Sequence, residues 1–96
     1  MHIPPEFHQL AIAFYPGSRD EVGDPSLEAW IEWVVREFGV DKDKQVIMAF
    51  LNELLDGEHD DDEIQLVWDR TSPSVQFSPP RGTRLFLELV RERIAR

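Results

Sequence analysis

Residues 41–68, DKDKQVIMAFLNELLDGEHDDDEIQLVW, decide the fold. Val46, Ile47, Phe50, Leu51, Leu54 and Leu55 recur at helical spacing, which predicts a helix from Asp41 or Asp43 to Asp56. Gly57 is its expected stop. Asp60-x-x-Glu63 then reads as an Asp-headed capping box that opens a shorter helix, with Ile64, Val67 and Trp68 along one apolar edge. Acids stacked at that N-terminus also complement the helix dipole. Leu66 falls off the main stripe of this helix and is a candidate for exposure.

The same punctuation extends outward on both sides. Upstream, Pro4-Pro5 starts a helix that stacks Phe7, Leu10, Ala11 and Phe14, and Pro16-Gly17 is its expected end. After a loop, Asp24 and Pro25 are the expected cap and first position of a second helix. Its stripe is Leu27, Trp30, Ile31, Val34 and Phe38, and Gly39 supplies a left-handed stop. Trp33 falls to the side of that stripe, where it either packs on a further helix or anchors a partner. Downstream, Thr71 to Pro80 holds three prolines and reads as an extended link, with Val75-Gln76-Phe77 as its one candidate strand. A last helix from about Thr83 packs Leu85, Phe86, Leu89, Val90 and Ile94. No other alternating run exists. The expected fold is therefore all-α, a single small bundle of about five helices joined by short loops, filling residues 1–96 as one domain.

Composition bounds the function. The 96 residues include no cysteine, so disulfides, thiolate zinc sites and a Cys nucleophile are excluded, in keeping with a cytoplasmic setting. A chain this short buries only about 60–65% of its unfolded surface, enough for one modest core. No apolar run approaches the roughly 20 residues of a membrane span, and MHIPPEFHQ lacks the cationic-then-apolar order of a signal peptide. Nineteen acids against ten bases give a net charge of −9. The imbalance is uneven: residues 1–80 carry −12, and residues 81–96, with five arginines, carry +3. Six acids crowd the eight positions 56–63. Such a field repels nucleic acid and anionic membranes and steers basic partners, or else serves only solubility.

Catalytic and metal chemistry find little purchase. Counted from Asp56 as a calcium loop, the sixth position is Asp61 rather than glycine and the twelfth is Val67 rather than glutamate. His2, His8 and His59 have no partner at zinc-ligand spacing. Ser18, Ser26, Ser72, Ser74 and Ser78 read as turn or cap residues, with no nucleophile elbow and no phosphate-cradling glycine loop. No catalytic residue, metal ligand or cofactor is expected.

One further pattern runs through nearly the whole chain. Asn52-Glu53-Leu54-Leu55, a short acidic loop, and Asp62-Glu63-Ile64 lead to Trp68. Phe77 and Pro79 follow in a proline-containing link, then Gly82-Thr83-Arg84-Leu85-Phe86-Leu87 and Val90-Arg91-Glu92-Arg93-Ile94. Upstream stand Leu10, Ala13-Phe14-Tyr15 and Asp20. Together these resemble the small helical immunity proteins of bacterial contact-dependent growth inhibition systems, with a departure at Pro16-Gly17. The resemblance implies a protein partner, the cognate and often basic toxin domain, bound stoichiometrically. Charge nominates the contact: Asp56, Glu58, Asp60, Asp61, Asp62 and Glu63, with Trp33 as an apolar anchor. Two other classes stay open, a helical adaptor or homo-oligomer contacting through Trp33 or Leu66, and an acidic DNA mimic.

Overall fold

A computed structural model describes residues 2–17, 22, 26–77 and 81–96. Five α-helices account for most of them: α1 (Pro5–Ile12), α2 (Leu27–Glu37), α3 (Lys44–Asp56), α4 (Asp61–Asp69) and α5 (Gly82–Ala95). A 3₁₀ turn, Val40–Asp43, leads into α3, so the residues expected to begin that helix wind more tightly. No strand forms among the described residues, and Val75-Gln76-Phe77 is irregular.

The link keeps its shape through side chains instead of a ladder. Trp68 Nε1 donates to the Val75 carbonyl at 2.9 Å, and Phe77 stacks on Phe86 with ring centroids 4.3 Å apart. Thr83, buried at the start of α5, donates to Gln65 Oε1 at 2.5 Å, while Gln65 Nε2 donates to Gln76.

The helix ends have local causes. Ser26 caps α2 by accepting from the Ala29 amide at 3.2 Å, and Asp24 and Pro25 lie outside the described residues. Gly39 follows α2 at φ +62°, the left-handed stop that only glycine adopts without strain. Gly57 serves a different purpose. Its backbone is extended, and a Cβ there would come within 2.5 Å of the Glu53 carbonyl oxygen, to which its own amide donates. Asp60 and Glu63 form the full capping box, with the Glu63 amide donating to Asp60 Oδ1 at 2.8 Å. The first helix ends at Ile12, four residues before Pro16, where the Ala13 and Phe14 amides donate to the Leu10 and Ala11 carbonyls, and both residues are buried.

Each helix places one ring in the core. Phe50 of α3 meets Phe7 of α1, Phe7 meets Trp68 of α4, and Trp68 meets Phe86 of α5. Phe14 bridges from Phe86 to Trp30 of α2. Burial of aliphatic and aromatic side chains of this size contributes about 1.5–3 kcal/mol each. Around the rings lie Ile31, Val34, Ile47, Leu51, Leu54, Ile64, Val90 and Ile94, all buried.

Three residues expected inside are half-exposed: Phe38, Val46 and Leu85. Val35 and Leu87 are buried where Phe38 and Leu85 were expected. Phe38 is the C-cap residue of α2, at φ −98° and ψ 10°, so it has left the helical path that its wheel position assumed. Val46 sits about a quarter-turn from the centre of the Ile47–Phe50–Leu54 stripe, and Leu85 lies nearly opposite the Phe86–Val90–Ile94 stripe.

Helix α5 is the hub, packing on α2, α3 and α4, while α1 packs on α3. Its arginines reach one carboxylate on each of those helices. Arg84 pairs with Asp61 of α4, Arg91 with Asp56 of α3 at 2.8 Å, and Arg93 with Glu32 of α2. The split of charge along the chain is thus partly neutralised across the fold. Arg93's hydrogen bond holds the Glu32 carboxyl below its usual range, against the opposing effect of burial, and the Arg93 pKa rises in turn.

Candidate protein-binding surface

The acid-rich run forms the turn between α3 and α4. Gly57 lets the chain leave α3 beside the Glu53 carbonyl, and the Asp60–Glu63 box starts α4 four residues later. Arg84 locks the turn from below. Its guanidinium pairs with Asp61 and donates to the His59 carbonyl at 2.8 Å and to the Leu55 carbonyl at 3.4 Å. Charge-assisted bonds to backbone carbonyls on both sides fix the turn as a unit.

Most of the six acids are engaged inside the molecule. Asp56 pairs with Arg91, and Asp61 pairs with Arg84 and, at 3.9 Å, with Arg81. Asp60 caps α4, while Glu63 closes the box and meets His59 Nδ1 at 3.1 Å. The side chains of Glu58 and Asp62 are exposed and make no hydrogen bond or ion pair to a described residue. These two carboxylates can accept from an incoming lysine or arginine without giving up an internal bond.

Trp33 is not part of this turn. It is half-buried against the core on α2, edge-to-face with Phe38 at 5.8 Å. Leu66 stands at the surface of α4, 62% exposed.

A second surface went unseen in the sequence. An open groove of about 410 Å³ lies between α1 and the 3₁₀ turn. Leu10, Ile12 and Tyr15 form one side, and Phe38, Val40 and Ile47 the other. Glu6 and Asp43 are its only charged lining residues among those described. The groove exists because Gly39 turns the chain and leaves Phe38 facing out, which a helical wheel through α2 does not foresee. The one available signal was the left-handed glycine directly after Phe38.

Among the described residues, no three histidine, aspartate or glutamate side chains gather at metal-binding distance, and no helix is long and apolar enough to cross a membrane. Comparison with protein-family models, curated proteins and solved structures finds no match.

Proposed function

We propose that this chain is a stoichiometric inhibitor that binds a basic protein domain through the α3–α4 turn, in the manner of an immunity protein of contact-dependent growth inhibition neutralising its toxin. One observation carries the reading. Arg84 fixes the turn through Asp61 and two backbone carbonyls, so the exposed carboxylates of Glu58 and Asp62 are presented with little ordering left to do on binding. A net charge of −9 adds long-range attraction for a cationic partner and speeds encounter. Carboxylates placed on a nuclease's phosphate-binding ground would exclude its substrate.

The test is capture followed by inhibition. The immobilised protein is exposed to lysate of its source organism at low salt and eluted with rising salt. Recovery near one to one of a basic domain whose toxic activity disappears in the complex supports the proposal. The Glu58→Gln/Asp62→Asn variant then lowers the association rate and flattens its salt dependence. Recovery of a domain that stays fully active in the complex, or an unchanged association rate in that variant, overturns it.

A further inference from the structure

We propose that the groove beside α1 is a second docking site, one that takes a cationic amphipathic helix of a protein partner. It seats a large apolar side chain between Ile12 and Phe38 and sets lysine or arginine beside Glu6 and Asp43. The inference rests on the reading that the partner is a basic protein, and it adds the apolar contact that the acidic turn lacks.

Three observations carry it. Exposed apolar area is concentrated here: Ile12 is 57% exposed and Phe38 46%, and with Tyr15 they make three of the six large exposed hydrophobics among the described residues. Clustered apolar exposure of this kind marks interaction sites, whereas scattered single residues do not. The groove is also already shaped. Its volume of about 410 Å³ falls within the ~300–1,000 Å³ of clefts that accept ligands, and Trp33 backs Phe38 edge-to-face. Finally, the charged lining among the described residues is wholly acidic, and neither Glu6 nor Asp43 is engaged with a described residue.

Charge selects the occupant. A second copy of this chain brings another −9 to the contact, and an anionic lipid surface is repelled for the same reason. An apolar stripe flanked by cations satisfies both the walls and the rim, the pattern of a helix laid into a groove. The site is separate from the acidic turn. Ile47 and Asp56 lie nine residues apart on α3, roughly 14 Å along its axis, which exceeds the ~8 Å screening length at physiological salt.

Isotope-labelled protein titrated with a synthetic leucine–lysine amphipathic helical peptide at physiological salt provides the test. The expected result is saturable amide shifts at Ile12, Tyr15, Phe38, Val40 and Ile47. Ile12→Lys and Phe38→Lys, both at exposed positions, should each weaken binding by about tenfold or more. Glu6→Gln/Asp43→Asn, which spares the apolar walls, should weaken it about threefold and reduce its salt dependence. Equal binding of a leucine–serine peptide overturns the cationic requirement. Shifts confined to residues 56–63, with affinity unchanged in both lysine variants, overturn the groove while the basic-partner reading stands. Absence of any saturable shift, or groove signals that broaden with protein concentration alone, likewise overturns it. The basic-partner reading falls separately, through the association rate of the Glu58→Gln/Asp62→Asn variant with the captured domain.

Discussion

The two ends of α3 carry charge in opposite ways. At its C-terminal end six acids stand in eight residues, yet four of them are committed to Arg91, Arg84, the α4 cap or His59. At its N-terminal end Glu6 and Asp43 are the only charged lining of the groove among the described residues, and neither is engaged with a described residue. Charge density in a sequence therefore does not measure the charge available to a partner. A crowded run creates its own demand for cations, and in this fold α5 meets it. A sparse pair beside apolar walls is left open.

That contrast breaks most visibly at Arg84. Replacing it with methionine keeps much of the packing volume but strips the turn of its cation, leaving Asp61, among the described residues, with only the distant Arg81, and two carbonyls without this donor. The expected loss is about 2 kcal/mol, or a melting temperature lower by about 10 °C in a domain of this size. A melt within a degree or two of the parent would mean that the turn holds itself.

The capping residue sharpens the comparison within the run itself. Asp60→Ala should cost about 1 kcal/mol in chemical denaturation, because the Glu63 amide loses its acceptor. Asp62→Asn and Glu58→Gln should each stay within ~0.5 kcal/mol, since neither side chain bonds to a described residue. Equal costs at all three positions would erase the distinction between committed and available acids.

A smaller effect lies at the Glu32–Arg93 pair, a carboxylate outside the run that is also committed to α5. The folded pKa of Glu32 is depressed, so its contribution is present above the unfolded carboxyl value, near 4.3, and fades as pH falls through the lower folded value. Glu32→Gln should therefore be less stable than the parent at pH 7 by at most about 1 kcal/mol, with the gap narrowing in strong acid. Urea midpoints of both proteins at neutral and low pH check the sign. A gap that widens on acidification would contradict it.

Local signals in the sequence were read correctly because their causes lie within a turn or two. The Asp60–Glu63 box, the Gly39 stop and the Phe7–Leu10–Ala11 stripe need no knowledge of distant residues, and the all-helical fold follows from them. The engagement of the acidic run was hidden because its partners are far along the chain: Arg84 lies 23 residues after Asp61, and Arg91 35 after Asp56. Phe38 was misplaced for a subtler reason. Periodicity is defined only while the helix lasts, and at its C-cap the wheel assigns a direction that the backbone no longer follows. The groove inherits that blindness, since its outer wall is that same residue.

The position of α5 in the order of synthesis has its own consequence. A ribosome releases the residues before it first, at a net −11, without the three arginines that bind Glu32, Asp56 and Asp61 and without the Phe86 ring that joins Trp68 to Phe14. At about 5–20 residues per second, seconds pass in which helical segments exist with their apolar faces unmatched. Self-repulsion keeps such nascent chains apart during that interval, so the acidity of the sequence also guards the unfinished molecule against its siblings.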